Sequence, residues 1–364
     1  MKQIYALIVM LMMASVAFTG CVSDDGDDTD DTVDPVGTES TSTLDTVIAR
    51  GSLKCGVKDS QYGMGYLEAD GTYTGLDIEY CKAVAAAIGV DTIEYVLATG
   101  SNRFELLASE EIDVLIRTTT WTTSRDADLN ADFAGINFYD GQGILVNTDA
   151  YATAPTSALD LNNAKICVGI GTTTEGNIAD YFAVNGMEYT AVNSDDAATA
   201  KAQFEDGSCD AWTGDMSAMV AQKFGLDTTA VPNSAIMPEL LSKEPLAAAT
   251  RDNDDDWNDV VTWVWFGMLT AEELGITSAN YADANMSIPA NGRLLNNNLG
   301  LGTEANPLSA TWMQSVLAAV GNYEEAYTES FCTYDDSGSC LIDRAGSQNA
   351  PYWEGGLQYA PPMR

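Results

Sequence analysis

The chain has 364 residues, of which 46% are hydrophobic, and it carries 16 Lys and Arg against 54 Asp and Glu, a formal net charge of −38. So negative a chain lacks the phosphate-binding surface that nucleic acids need, and no nucleic acid is expected as a partner. The sequence contains no histidine, which excludes histidine-based catalytic triads and histidine-ligated zinc. We expect neither a metal nor a cofactor.

The first residues have the pattern of a secretory signal. A charged start, Met1-Lys2, precedes an apolar run over residues 4–18, and Cys21 follows shortly after it. The pattern predicts a signal peptide over residues 1–20 that is removed, with lipid attached to Cys21. The alternative is an uncleaved anchor, although a membrane span needs about 20 apolar residues. Both interpretations place the rest of the chain outside the cytoplasm, in the periplasm or at the cell surface, and attached to a membrane.

Residues 21–44 are rich in Asp, Ser and Thr. Such a composition does not bury apolar surface and repels itself, so we expect a disordered acidic tether. A calcium site is the alternative, but the Asp run over residues 24–31 lacks the fixed acidic positions and turn glycine of a calcium loop.

The remainder alternates between strand and helix patterns. Strands are predicted at residues 53–57, 95–97 and 112–116, with helices at 77–89 and 103–109. The order restarts with strands at 166–170, 189–192 and 210–212 and helices at 173–182 and 197–205. This alternation is typical of parallel α/β units, so the sequence predicts two α/β lobes.

Two extended segments, residues 136–146 and 242–249, separate the lobes. If the chain enters the second lobe near Gly141 and leaves it near Pro245, two strands join the lobes and form a hinge. The expected organisation is lobe 1 over residues 45–140 and 246–330, lobe 2 over 141–245, and a C-terminal extension over 331–364.

Six short segments, in chain order, resemble a known family. They are Thr74-Gly75-Leu76-Asp77 leading to Cys81, Arg103-Phe104, residues 118–126, residues 139–143, residues 171–175, and Ser242-Lys243-Glu244-Pro245-Leu246. The chain resembles the general L-amino-acid-binding proteins of ABC transporters, in family 3 of the bacterial extracellular solute-binding proteins, over residues 45–330 and again over 355–364. The resemblance implies the type II periplasmic-binding-protein fold, an α/β fold whose two lobes each hold a mostly parallel sheet flanked by helices. It also implies a monomer that captures a free L-amino acid between the lobes and delivers it to the permease subunits of an ABC transporter.

The resemblance assigns the ligand carboxylate to Arg125, Thr120 and Thr173. A guanidinium suits this role because it is always charged and grips a carboxylate through two parallel bonds. Thr173 lies with Thr172 and Thr174 at a predicted helix start, where free N–H groups favour an anion. A surface ion pair for Arg125 and an ordinary helix cap for Thr173 are the alternatives.

The ligand ammonium is assigned by the same resemblance to Asp215, with oxygens of Thr118 and Thr120 as further acceptors. A buried carboxylate without another partner favours a cation. A turn aspartate is the alternative role for Asp215.

Four residues are expected to meet the ligand side chain. Arg103 matches a position from which acidic-ligand relatives reach the side-chain carboxylate, which favours acidic or amide ligands within a broad specificity. Gln61, Tyr62 and Met64 lie in the loop after the first strand, where the family places an aromatic wall. The alternative for Arg103 is a position on a helix surface.

Seven cysteines are present, and lipidation of Cys21 would leave six, which allow 15 pairings. Cys332 and Cys340 bracket a short turn-rich loop that a local bridge would close. The resemblance implies two further pairs, Cys55 with Cys81 and Cys167 with Cys209.

Two other functions remain open. The first is an enzyme on the same fold, a lyase or dehydratase, in which Glu175 or Asp215 would act as the acid or base. The second is an amino-acid sensor that signals through a partner protein. We expect a binding protein and no enzyme.

Overall fold

The computed structural model describes residues 42–334 and 338–364. The expected signal peptide, the lipidation site Cys21 and most of the expected tether lie outside the described residues. In the part of the chain that is described, no helix is long and apolar enough to cross a membrane.

Helix α1 (Thr43–Arg50) begins inside the segment that we expected to be a tether. The Ser42 side chain caps it by accepting from the Leu44 N–H, and Gly51 ends it in the left-handed conformation. Leu44 and Val47 are fully buried. Thr43 and Leu44, which were expected to belong to the tether, are therefore part of the folded lobe, because burial of Leu44 and Val47 favours the helix.

Lobe 1 is built on one half of a long sheet, which has nine strands in the described part of the chain. Its strands, in spatial order, are β5 (Thr92–Leu97), β1 (Ser52–Val57), β6 (Val114–Leu115), β12 (Lys243–Arg251) and the first part of β7 (Ala131–Asn147). A small antiparallel sheet, β2 (Ser60–Gln61), β3 (Gly65–Leu67) and β4 (Tyr73–Thr74), lies beside them. The lobe's other helices are α2 (Leu76–Ile88), α3 (Arg103–Ala108), α4 (Thr123–Asp128), α8 (Asp255–Glu273), α9 (Pro289–Leu295), α10 (Trp312–Val320) and α11 (Tyr323–Phe331).

Lobe 2 continues the same sheet. Its strands are the second part of β7, then β10 (Ala211–Asp215), β8 (Ala164–Gly169) and β9 (Tyr189–Ser194), with β11 (Ser234–Ile236) paired to β7. Helices α5 (Thr173–Val184), α6 (Ala197–Glu205) and α7 (Met216–Phe224) cover it. Strands β8, β9 and β10 are mutually parallel, whereas β7 is antiparallel to β10.

Strand β7 joins the lobes. Its residues from Ala131 to Gly141 pair with β12, and those from Gln142 to Val146 pair with β10. The change of partner occurs at Gly141, opposite Lys243. The predicted two-lobed α/β fold is confirmed, and the hinge consists of β7 and β12.

Each lobe has its own core. In lobe 1 the large side chains Trp257, Trp265 and Trp312 are fully buried among helices. In lobe 2 separate clusters, around Phe182 and around Phe204, cover the two faces of the sheet. Each lobe therefore buries its own apolar surface, as motion of two rigid lobes about a hinge requires.

Disulfide bonds join Cys55 to Cys81, Cys167 to Cys209, and Cys332 to Cys340. These are the pairs that the sequence led us to expect. The first two tie a central strand of each lobe to an adjacent segment, and the third closes a loop of the C-terminal extension.

The C-terminal extension packs on lobe 1. Arg344 forms two hydrogen bonds with Glu272, of 2.7 and 2.9 Å, and Met363 joins the lobe 1 core. Asn349 bonds to the backbone of Tyr139 on β7. The extension is therefore an integral layer of lobe 1 that reaches the hinge strand.

Candidate functional site

A cavity of about 160 Å³ lies between the lobes at the ends of the sheet strands. Lobe 1 contributes Lys58, Arg103, Arg117, Thr118 and Thr120, and lobe 2 contributes Thr172, Thr173, Thr174, Trp212, Asp215 and Gln222. The carboxyl ends of parallel strands are where open α/β sheets bind ligands. The cavity is therefore the candidate ligand site.

The lobes meet backbone to backbone at one side of this cavity. A Cβ placed on Gly100 would lie 2.6 Å from the Ile170 carbonyl oxygen, and one on Gly171 would lie 2.9 Å from the Gly100 oxygen. Gly171 also has φ +68°, a conformation that glycine adopts without strain. Glycine at both positions thus allows the closed arrangement.

Three buried arginines converge on the site. Arg103, Arg117 and Arg125 are 2%, 8% and 7% exposed. Each donates to a backbone carbonyl: Arg103 to Gly171 at 3.3 Å, Arg117 to Ala98 at 3.0 Å and Arg125 to Thr120 at 2.8 Å. Arg125 does not line the cavity but lies directly behind Thr120, against the Phe104 ring.

Lys58 adds a fourth cation, and its ammonium donates to Gln61 Oε1 at 2.5 Å. Within residues 42–334 and 338–364, no carboxylate lies within ion-pair distance of Lys58 or the three arginines. Arg103 Nε has no hydrogen-bond partner there at all. Burying unpaired charge is costly, so this group of cations favours an anionic ligand.

The pKa values of these cations reflect the same cost of burying charge. Burial, with the charge of Arg117 second, lowers the pKa of Lys58 to about 7. Burial likewise lowers the pKa of Arg117 to about 10 and that of Arg103 well below its ordinary value, with repulsion from Arg117 adding to the effect. An anion in the cavity would reverse these shifts.

Asp215, the last residue of β10, lines the cavity and faces these cations. Burial raises its pKa, and Lys58 opposes that shift. The neighbouring Asp140 on β7 has its pKa raised to about 7, first by burial and then by the Asp215 charge. The site therefore holds a carboxylate whose charged form is favoured by a nearby cation.

Thr118 is held in an unusual conformation at the cavity wall. Its φ is +38°, and its N–H donates to buried Asp77 at 2.8 Å, where Asn137 also donates at 3.1 Å. Burial raises the pKa of Asp77 to about 6. The Thr118 hydroxyl is buried and without a partner in the described part of the chain, which leaves it free to meet a ligand.

Helix α5 points its N-terminus at the cavity. The Thr172 hydroxyl caps the Glu175 N–H at 3.2 Å, and Thr172, Thr173 and Thr174 all line the cavity. The N–H groups of Thr173 and Thr174 precede the first intrahelical hydrogen bond, so they favour an anion at this end.

Gln61, Tyr62 and Met64 are not among the residues that line the cavity. Met64 is in the lobe 1 core, and Gln61 Nε2 donates across to Ser217 of lobe 2 at 2.9 Å. The Tyr62 ring stacks on Tyr66 and touches Phe224 of lobe 2 and Tyr334 of the extension. We name these four aromatics the rim cluster, because they join the lobes outside the cavity.

Glu244 of β12 is buried between the lobes and is 1% exposed. Its Oε2 accepts from the Thr120 hydroxyl at 2.6 Å and from the Thr173 hydroxyl at 2.7 Å. Its Oε1 accepts from Ser242 at 2.5 Å and from Asn177 at 2.8 Å. One carboxylate thus connects a lobe 1 loop to helix α5.

Sequence reasoning missed Lys58, Arg117, Asp77 and Glu244 as parts of the site. A signal existed for two of them, because Lys58 directly follows β1 and Arg117 follows β6, and strand ends converge on the cleft.

Among the described residues, no group of three or more His, Cys, Asp or Glu side chains is placed to hold a metal ion.

Comparison with known proteins identifies the family. The chain is 42% identical over 335 residues to the glutamate/glutamine/aspartate/asparagine-binding protein BztA of Rhodobacter capsulatus, covering 90% of this chain and 95% of that protein. It is 38% identical over 330 residues to the general L-amino acid-binding periplasmic protein AapJ of Rhizobium johnstonii, covering 89% and 94%.

A solved periplasmic binding protein of an ABC transporter from Brucella ovis, with glutathione bound, superposes with a TM-score of 0.80 at 40% identity, covering 89% of this chain and 100% of that one. Residues 53–283 match the model of the bacterial extracellular solute-binding proteins, family 3. The chain belongs to this family.

Proposed function

We propose that this protein captures free L-amino acids outside the cytoplasm and delivers them to the permease of an ABC transporter, with a preference for acidic amino acids and their amides. The observation that carries the preference is a set of cations without ion-pair partners in the described chain. The buried Arg103 and Arg117 and the half-buried Lys58 line the cavity, and the buried Arg125 lies behind Thr120. The names of the related proteins support the amino-acid class.

The α-carboxylate is assigned to lobe 1 and helix α5 together. Arg125 uses one of its five N–H donors on the Thr120 carbonyl, and the others are suited to a carboxylate. Thr120 lies opposite Leu246 of β12, but the backbone hydrogen bonds there are made by the residues on either side of each. The N–H of Thr120 itself therefore points away from β12. The N–H of Thr173 would complete this set from lobe 2.

The ammonium is assigned to Asp215, with oxygens of Thr118 and Thr120 as further acceptors. The side-chain carboxylate or amide is assigned to Arg103, Arg117 and Lys58, which also line the cavity. With these assignments, each charged group of an acidic amino acid, its two carboxylates and its ammonium, meets a group of opposite charge in the protein.

Ligand binding would drive closure, because the assigned contacts lie on both lobes and form together only when the lobes meet. Hydrogen bonds to charged groups contribute about 1.5–3 kcal/mol each. Four or five such bonds suffice for a micromolar complex, about 8 kcal/mol, after the costs of ordering.

We also propose that the protein is a monomeric lipoprotein, anchored through Cys21 and tethered by the acidic segment after it, and that it releases its ligand chemically unchanged. The binding proteins named among its relatives support the second part. Mass spectrometry of the membrane-extracted protein tests the lipid anchor, since lipid on Cys21 adds a diacylglyceryl mass to the mature N-terminus.

Thermal-shift screening against the standard amino acids tests the function. A ligand at 100 times its dissociation constant stabilises the folded state by about 2.7 kcal/mol. At one common concentration the tightest ligands stabilise most, so glutamate, aspartate, glutamine and asparagine should raise the melting temperature most. No shift with any amino acid would contradict the proposed function. A shift confined to lysine and arginine would contradict the proposed preference.

A further inference from the structure

Each threonine hydroxyl carries one proton, and in this structure Glu244 takes both. Thr120 donates to Glu244 Oε2 at 2.6 Å and Thr173 donates to the same oxygen at 2.7 Å. The two hydroxyl oxygens lie 3.3 Å apart because they share this acceptor. Neither hydroxyl retains a proton for a ligand carboxylate.

The position of Glu244 makes this shared acceptor a link between lobes. Glu244 lies on β12 opposite Asp140 of β7, next to the point where β7 changes partner. Thr120 belongs to lobe 1, whereas Thr173 and Asn177 belong to helix α5 of lobe 2. The link consists of protein atoms alone, so it stabilises the closed arrangement independently of the ligand.

We propose that Glu244 is a positioning residue, which fixes the Thr120 and Thr173 hydroxyls and links the lobes on the cavity side of the hinge. The Thr173 side chain then acts on affinity through Glu244 and not through contact with the ligand. The backbone N–H groups of Thr120 and Thr173 are left for the carboxylate. This inference rests on the proposed amino-acid binding for its affinity measurements.

Two variants of Glu244 separate its acceptor oxygen from its charge. Glu244→Gln keeps an oxygen for the two hydroxyls, and Glu244→Met has a similar length but offers no oxygen. Both remove the same negative charge, so any gain for anionic ligands is common to them. Thr173→Val is combined with each. Thr148→Val is the matched control, because the Thr148 hydroxyl donates an exposed hydrogen bond to the Asn233 carbonyl and lies outside the cavity lining.

Glutamate affinity is measured by calorimetry in all combinations. Thr173→Val should weaken binding about tenfold or more in the wild type, because one charge-assisted hydrogen bond of the closed state is lost. In the Glu244→Gln background the lost bond is to a neutral oxygen, so the same change should weaken binding about three- to tenfold. In the Glu244→Met background the same change should cost less than about twofold, since coupled residues are not additive. Thr173→Ser should restore wild-type affinity. An equal loss in the Glu244→Met background, or no loss in the wild type, overturns the proposal.

Small-angle scattering of the protein without amino acid is a second test. It depends neither on ligand binding nor on whether the Glu244→Met variant folds. Thr120→Val/Thr173→Val should increase the radius of gyration relative to Thr148→Val, because the link between lobes is lost. An unchanged radius overturns the proposal. A wild-type protein that binds no amino acid contradicts the proposed function instead, and the scattering result still decides the role of Glu244.

Discussion

The side-chain amide of Asn349 pairs with both backbone groups of Tyr139. The Tyr139 N–H donates to Asn349 Oδ1 at 2.7 Å, and Asn349 Nδ2 donates to the Tyr139 carbonyl at 2.9 Å. Tyr139 lies on β7 two residues before its change of partner, and its other neighbour in the sheet is Pro245 of β12. Asn349 thus serves as a one-residue strand partner, through which the C-terminal extension supports the hinge.

Asn349→Ala should therefore destabilise the protein. It leaves a backbone donor and an acceptor of Tyr139 unpaired at a site where Asn349 is 2% exposed, at a cost of about 1–3 kcal/mol for each group. The free energy of unfolding by urea should fall by about 2–6 kcal/mol. Asn185→Ala, which removes an exposed side-chain bond to Tyr181, should change it by less than about 0.5 kcal/mol. Equal effects of the two variants would show that Asn349 does not support the hinge strand.

Arg125→Ala should abolish the binding of glutamate and alanine alike. The guanidinium is assigned to the α-carboxylate, which every amino acid shares, and its loss also leaves the Thr120 carbonyl without a partner. We expect affinity to fall by more than about a hundredfold for both ligands in calorimetry. Lys165→Ala, an exposed lysine of lobe 2, is the control for loss of one positive charge. Retained binding of alanine would remove Arg125 from the α-carboxylate site.

Arg103→Ala should instead discriminate between ligands. Its guanidinium lines the cavity, and its Nε has no partner in the described chain, so we assign it to the ligand side chain. Glutamate should lose about ten- to hundredfold in affinity, whereas alanine should lose less than about threefold. Equal losses for the two ligands, measured by the same calorimetry, would contradict a role in selectivity.

Lys58 should make glutamate binding dependent on pH. Burial and the Arg117 charge lower its pKa to about 7 in the closed arrangement without ligand, against the opposing charges of Asp215 and Asp77. An anionic ligand stabilises the ammonium and raises this pKa in the complex. Binding therefore takes up protons above about pH 7, and affinity falls as the pH rises from there toward the pKa of the complex.

Calorimetry at about pH 8 in buffers of different ionisation enthalpy measures this uptake. The uptake should disappear in Lys58→Met and persist in Lys54→Met, a lysine of β1 outside the cavity lining. Asp140, whose pKa is raised to about 7 by burial and by Asp215, is present in both variants, so their difference isolates Lys58. Uptake that survives in Lys58→Met would assign the proton to another group.

Phe224→Ala should weaken all ligands by a similar factor. Phe224 is 51% exposed and touches Tyr62 and Tyr334 across the cleft, so its removal costs closure and little folding stability. Aromatic pairs contribute about 0.5–1.5 kcal/mol, so glutamate and glutamine should both bind about two- to tenfold more weakly. Val184→Ala, at an exposed apolar position of lobe 2, should leave both affinities unchanged. A loss for one ligand alone would place the rim cluster in ligand recognition.

The fold was predictable because the local strand and helix patterns and the order of the two lobes along the chain indicate the same architecture. Helix α6 matched its predicted bounds over residues 197–205, and β1 differed by one residue. Helix α1 was missed although Ser42 and Gly51 are sequence signals for its start and end. The acidic composition of residues 21–44 as a whole outweighed these local signals in the prediction of a tether.

The candidate site was predictable in part. Arg103, Thr120, Thr173 and Asp215 follow strands or begin helices at the cleft, and the structure brings them together. Tyr62 was expected at the ligand, but its ring is held outside by stacking on Tyr66 and by contacts that cross to lobe 2 and the extension. Such contacts depend on how the lobes close, which the order of residues does not specify.

Calorimetric comparison of L-glutamate with L-arginine tests the central claim most directly, because the two ligands share their α-carbon groups and differ in side-chain charge. If the cavity-lining cations Arg103, Arg117 and Lys58 receive the ligand side chain, glutamate should bind at least about a hundredfold more tightly than arginine, a difference of about 2.7 kcal/mol. Arginine binding as tightly as glutamate, or more tightly, would contradict the account.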